Sequence, residues 1–235
     1  MKILVLDTST EYGGAALLEE EVLQAQCRIR IGRGTHSTGL WRILRFLLAE
    51  TGWKLETVDA WAVCRGPGSF TGVRIGLATV KALTLVSGKP AVAVSGLESL
   101  AMAWSYTPYL VYPMIDARKQ EVFAAGYRSD GEGRLSRVLA EVHGEPLKLA
   151  ARLQEPAILV GSGAWLYRSL LKERLGAAAL IPPRSHHTLS LRHLGALAYD
   201  RLRQGLTELP HELQPRYLRP ADAELNRPPV GFGER

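Results

Sequence analysis

The stretch Arg65-Gly66-Pro67-Gly68-Ser69-Phe70-Thr71-Gly72-Val73-Arg74-Ile75-Gly76 decides how the chain is read. An apolar run at 58–64 precedes it and reads as a buried strand. A run of helix length, 72–87, follows. Strand, tight glycine loop and helix start are therefore expected in that order. Pro67 sets φ near a turn value. Gly66 and Gly68 permit backbone angles closed to other residues. Ser69 and Thr71 are each placed to accept an orphan N–H at the helix start. Such a start suits an anion, and the same residues also make a plain tight connection. Two standard phosphate loops do not fit. A P-loop needs Gly-Lys-Ser/Thr after four residues, but Gly72 is followed by Val73. The dinucleotide fingerprint needs its third glycine one residue earlier than Gly72.

The helix at 72–87 is apolar all the way round, through Val73, Ile75, Leu77, Val80, Leu83 and Val86. That pattern predicts burial on every side. Its own sheet covers one face; another helix or a partner subunit must cover the other.

A length of 235 residues allows one large domain or two small ones, and 46% hydrophobic residues exclude disorder as the main state. The formal net charge of +6 favours acidic partners, nucleic acid among them, but weakly. The basic residues are scattered, with no run of five like charges, so most read as solvated surface. Cys27 and Cys64 form no Cys-x-x-Cys, which suits a reducing, cytoplasmic setting, and both sit in apolar runs that read as core. The short apolar start at 3–6 does not read as a signal peptide, and no apolar run approaches a membrane span.

Outward from the glycine loop, strands are expected at 2–6, 13–18 and 21–30, joined as an antiparallel meander. Asp7 ends the first strand, where a carboxylate holds metal–phosphate in several nucleotide-binding folds; it reads more simply as a turn residue capping backbone N–H groups. Ser37 caps a helix at 38–51 with Leu40, Ile43, Leu44, Leu47 and Leu48 as its stripe. Trp41 and Arg45 flank that stripe as a second surface facing a partner, or as Arg45 covering Trp41 in solvent. A strand at 91–94 and a helix beginning at 95 close the first half. The second half repeats the order: strands at 109–115, 121–128 and 135–142, a helix at 145–153, a strand at 157–160 and a helix at 164–175. A last helix at 189–204 precedes an extended, Pro-rich tail, which the sequence places either on the surface or under a partner. The expected class is α/β, with the duplicated topology of actin, sugar kinases and Hsp70 (ASKHA). The expected units are 1–105, 106–187 and a final helix and tail at 188–235.

Asp7-Thr8-Ser9-Thr10, Thr35-His36-Ser37, the glycine stretch at 66–76, Asp116-Ala117-Arg118 with Glu121-Val122, and Tyr217-Leu218-Arg219 stand in the order seen in the TsaB (YeaZ) family. The chain resembles that family over nearly its whole length. The resemblance implies a non-catalytic partner of TsaD in bacterial tRNA threonylcarbamoyladenosine synthesis. TsaE, an ATPase, joins the pair, and the isolated protein forms a homodimer by a similar surface. It implies docking helix against helix through the first half. The expected contact residues are Leu40, Trp41, Leu44, Arg45, Leu48, Arg74, Leu77, Ala78 and Lys81. On that expectation Leu77→Glu breaks the complex and spares the fold. The glycine loop Gly66, Pro67, Gly68, Ser69, Phe70, Thr71, Gly72 and a vestigial nucleotide site at Asp7, Thr8 and Ser9 complete the candidate residues.

TsaD holds its metal with two histidines in a stretch that matches Val94-Ser95-Gly96-Leu97-Glu98-Ser99-Leu100 here. Gly96 and Leu100 stand at the ligand positions and carry no donor atom, so no metal, cofactor or catalytic residue is expected. His186, His187 and His193 form no His-Glu-x-x-His, against a metalloprotease. An alternative of another class is a nucleotide-dependent phosphotransferase. It would use Asp7, Thr8, Ser9 and the glycine loop, with Asp116 from the second half. A minor contact with tRNA through Arg216, Arg219 and Arg227 is a further expectation.

Overall fold

The computed structural model describes residues 1–30 and 36–219, with the backbone alone at 36–38. Most of the loop expected before the first helix, and Arg227 of the tail, lie outside the described residues; the first helix begins at His36, so Ser37 stands inside it rather than capping it. Strands β1 (Lys2–Asp7), β2 (Tyr12–Glu19), β3 (Val22–Arg30), β4 (Ala60–Cys64) and β5 (Ala91–Val94) form one sheet, in the order β3-β2-β1-β4-β5. Strands β6 (Leu110–Arg118), β7 (Glu121–Ser129), β8 (Leu135–Gly144), β9 (Ala157–Val160) and β10 (Ala179–Leu180) form the second, in the order β10-β9-β6-β7-β8. In both, three antiparallel strands are followed by two parallel ones. The duplication expected from the sequence is therefore present, and each half is completed by a fifth strand.

Helices α1 (His36–Thr51) and α2 (Phe70–Ser87) cross between parallel strands of the first sheet, a connection that antiparallel hairpins do not need. Alternation along β1 shows how the layers form. Leu4 and Leu6 face α1 and α2, whose Leu40, Leu44, Leu47, Val73, Leu77 and Val80 close that core. Ile3 and Val5 face the opposite side. There α3 (Gly96–Met102) and α7 (Leu191–Arg203) fill the space between the sheets, against Val111, Phe123 and Tyr127 of the second. The short helices α4 (Pro146–Ala150), α5 (Ser162–Leu166) and α6 (Arg168–Leu175) cover the far face of the second sheet. The result is five layers with one core shared by both halves.

Three expectations need correction. The helix at 164–175 is two helices broken at Tyr167. The strand β10 was not foreseen; two residues carry no periodicity to read. And α2, at 18 residues, is long and apolar enough by length and composition to cross a membrane. It is instead a crossover helix whose inner face, with Val73, Leu77 and Val80, lies in the core. Cys64 is buried as expected, and Cys27 only partly so.

Candidate functional site

The glycine loop is seated on the turn that ends β1. Ser69 N donates to Ser9 O at 2.7 Å, and Thr8 Oγ1 donates to Gly72 O at 2.6 Å. A Cβ at Gly68 would lie 2.1 Å from Ser9 O, and one at Gly72 would lie 1.9 Å from Thr8 O. These two glycines are thus required by the approach of two backbones rather than by a ligand. Gly66 is different: its φ of +91° belongs to the left-handed region, just before the cis bond to Pro67. Ser69 caps α2 as expected, its Oγ accepting from Gly72 N at 3.2 Å. Donors that would have met a phosphate, Ser69 N and Gly72 N, are engaged within the chain.

Asp7, Thr8 and Ser9 are each 1% exposed. Asp7 Oδ1 accepts from Ser9 N at 2.8 Å and from Ser9 Oγ at 2.7 Å, so the turn-capping reading is the one the geometry shows. Oδ2 is buried and has no hydrogen-bond partner among the described residues. Burial raises the Asp7 carboxyl above its ordinary value, against the opposing pull of Ser9, Arg28 and Cys64. The folded chain then holds this proton more tightly than the unfolded chain. The stability it contributes is complete below the ordinary carboxylate pKa and is lost as pH rises from there through the folded value. Asp7→Asn is expected to remove that loss. In urea denaturation between about pH 3 and pH 7, the wild type should lose ground to the variant as pH rises. A wild type that gains on it across that window overturns the assignment. Burial and the nearby Asp7 carboxylate also push the Cys64 thiol up, away from the thiolate form.

The expected contact residues divide into two groups. Leu40, Leu44 and Leu77 are 1%, 2% and 2% exposed and belong to the core, and Leu48 packs partly against it. Leu40, Leu44 and Leu77 cannot touch a partner without unfolding, so they lie on the wrong face for a contact surface, whereas Leu48 keeps part of its side chain exposed. Trp41, Arg45, Arg74 and Ala78 are exposed, and Lys81 is half-buried. Nor is α2 covered on every side. Phe70, Arg74, Ala78, Ala82 and Val86 are all exposed at intervals of four, a stripe along its outer face. Leu85 and Val86 are 70% and 89% exposed, and on neighbouring α1 Trp41 and Phe46 are 47% and 54% exposed. Phe46, Ala82, Leu85 and Val86 were missed as contact candidates. The four-residue spacing of the stripe was readable, but the helix is apolar in every direction, so the pattern did not say which face was inside.

The tail lies on the molecule. Leu213 is fully buried in the core under α1 and α2, and Arg216 N donates to Arg65 O at 3.1 Å. Tyr217 stacks on Phe70 with centroids 5.0 Å apart, and Arg74 Nε donates to its hydroxyl at 2.6 Å. Arg216 and Arg219 pair with Glu141 and Glu121 of the second sheet. Two of the three arginines expected to meet tRNA, Arg216 and Arg219, are therefore paired within the chain. Asp116 accepts from Arg118 N at 2.9 Å and pairs with the Arg118 guanidinium at 3.4 Å.

The family model "TsaD: tRNA N6-adenosine threonylcarbamoyltransferase" matches residues 30–227. The tRNA threonylcarbamoyladenosine biosynthesis protein TsaB of Bacillus subtilis is 30% identical across 95% of this chain and 96% of its own length. The TsaB of Haemophilus influenzae is 31% identical across 93% and 94%. The chain belongs to the TsaB family. The transferase of Brucella ovis is also 30% identical, but the match takes in only 49% of its length. YeaZ from Pseudomonas aeruginosa superposes with a TM-score of 0.79 at 32% identity, over 92% of this chain and 99% of that one. A ROK hexokinase from Thermus thermophilus, 14% identical, superposes over 87% of this chain and all of its own, with a TM-score of 0.52. That likeness concerns the fold alone and is the sugar-kinase class expected from the duplication.

In this TsaB-family chain Gly96 and Leu100, the two positions that the resemblance sets against histidine ligands, lie in mainly apolar packing. A Cβ at Gly96 would meet Leu189 Cδ1 at 3.1 Å, Cys64 Sγ at 3.3 Å and Ile115 Cδ1 at 3.6 Å. Leu100 is 4% exposed within the shared core. Among the described residues no group of three His, Cys, Asp or Glu side chains is placed to hold a metal ion. His187 is buried between carbonyls, with Nδ1 3.0 Å from Gly161 O and Nε2 2.9 Å from Pro182 O, which accounts for it structurally. Glu98 is paired with Arg201 at 2.5 Å.

Proposed function

We propose that the chain is the non-catalytic, activating subunit of the cytoplasmic complex that forms threonylcarbamoyladenosine on tRNA. It binds TsaD through the outer faces of α1 and α2 in the unit 1–105, and TsaE joins the pair. The supporting observation is the exposed apolar surface made by Trp41 and Phe46 on α1 with Ala78, Ala82, Leu85 and Val86 on α2. Large apolar side chains left this exposed on two neighbouring helices favour an interaction site there. Ala78 and Ala82 let a second helix approach closely at the centre, while Trp41, Phe46 and Leu85 supply the burial. The same surface serves a homodimer when the chain is alone. The reading assigns the chain no catalytic residue, metal or cofactor of its own. It is favoured over a phosphotransferase because two donors of the glycine loop, Ser69 N and Gly72 N, are already bonded to Ser9 and Ser69.

Reconstitution tests it. TsaD, TsaE, the adenylate-forming enzyme and tRNA are assayed with and without this chain, reading modified adenosine by mass spectrometry. Adding the chain should raise the rate by at least about tenfold, the equivalent of about 1.4 kcal/mol. Equal rates in both arms, or ATP turnover by the chain alone, overturns the reading.

A further inference from the structure

Beyond the carboxyl ends of β4 and β5, where Arg65 follows Cys64 and Ser95 follows Val94, a cavity of about 340 Å³ opens between the sheets and the tail. Ligands of α/β sheets gather at such strand ends, and the volume is at the small end of ligand pockets. Its walls are charged. Arg201 pairs with Glu98, Arg65 with Glu208, and Arg216 with Glu141. The fourth arginine, Arg137, has no carboxylate of its own. Its Nη1 lies 3.9 Å from Glu141 Oε1, an oxygen that already accepts from Ser95 Oγ at 2.6 Å. Four guanidiniums thus face three carboxylates across one cavity. Arg137 has only a share of Glu141, which also serves Ser95 and Arg216, so its guanidinium keeps a fork of donors for an oxygen pair.

We propose that this cavity is a binding site for a small oxyanion, a carboxylate or a phosphate, held by Arg137. The anion brings the negative charge that the fourth guanidinium lacks. None of the outer-face residues of α1 and α2 lines the cavity, so the site does not rest on the docking reading.

The full chain is titrated with inorganic phosphate and, separately, with acetate, each replacing chloride at constant ionic strength, and read by calorimetry and backbone amide NMR shifts. One saturable site is expected, with shifts at Arg65, Ser95 and Arg137. Preference for phosphate or for acetate tells the two chemistries apart. Arg137→Gln should weaken binding by about tenfold or more, and Arg137→Lys, which keeps the charge without the fork, by less. Arg174→Gln, exposed on α6, should change nothing. The site is disproved by no saturable binding of either anion up to about 10 mM. Affinity that survives Arg137→Gln, or falls equally in Arg174→Gln, disproves it as well.

Discussion

Gly72→Ala is expected to lower the stability of this chain by about 3 kcal/mol or more, although the change favours helix in the abstract. Alanine in a helix interior is ordinarily worth up to about 1 kcal/mol over glycine. Here the added methyl would stand 1.9 Å from Thr8 O and 3.1 Å from Thr8 C, inside any tolerable contact. The carbonyl has nowhere to go. Thr8 Oγ1 donates to Gly72 O at 2.6 Å, and Ser9 O is held by Ser69 N at 2.7 Å. The strand behind them, β1, is the central one of its sheet. Relief therefore means lifting the start of α2 away from β1 and opening the core around Val73. Gly68→Ala, with 2.1 Å to Ser9 O, is expected to do the same. Gly39→Ala is the control: in α1 its new methyl meets, among the described residues, only Ile29 Cδ1, at 3.6 Å, so a gain of about 0.5–1 kcal/mol is expected. Urea denaturation of the three variants checks the set. A Gly72→Ala chain as stable as the wild type would show that the glycine loop is not seated on the turn.

The glycine stretch was legible because its chemistry is local: glycines, a proline and a capping serine in one short run. Its role was not. Whether a glycine makes room for a phosphate or for another backbone depends on Thr8 and Ser9, some sixty residues away in sequence. The strands themselves were legible for a similar reason, since alternation in β3 and continuous apolar runs in β1 and β4 report half-buried and fully buried strands directly. Helix faces were harder. The α1 stripe was read correctly as a stripe, yet Leu40 and Leu44 were then also assigned to a partner, and one face cannot serve both. The tail was least legible. Tyr217 finds Phe70 and Arg74, and Arg216 finds Glu141, only after the two sheets have formed. No pattern within 206–219 announces those partners. The charged cavity shares that obscurity, because its walls come from β5, α3, β8 and the tail together.

Leu77→Glu and Ala78→Arg, neighbours on one helix, are expected to fail in opposite ways. One residue along a helix turns the side chain by more than a quarter of a circle. Leu77 points into the core beside Leu4, Val63 and Val80 and is 2% exposed, while Ala78 lies on the outer stripe. A glutamate at 77 would place a carboxylate among alkyl groups with no donor to meet it, costing about 4 kcal/mol or more. That is most of the stability of a domain at the low end of the ordinary range, about 5 kcal/mol. An arginine at 78 keeps its charge in water and leaves the fold within about 0.5 kcal/mol of the wild type. It does, however, put a long cationic side chain at the middle of the proposed helix–helix contact. Close packing there depends on a small residue, and a buried unpaired charge is repelled as strongly as in a core. Affinity for TsaD should fall by about a hundredfold, or about 2.7 kcal/mol. Val86→Glu, at the far end of the stripe, should weaken it by less. Denaturation curves with calorimetric titration against TsaD separate the outcomes. If Ala78→Arg and Val86→Glu both bind as the wild type does, the outer face of α2 is not the surface that TsaD uses. A Leu77→Glu chain that folds normally would mean that the helix is turned the other way on its sheet.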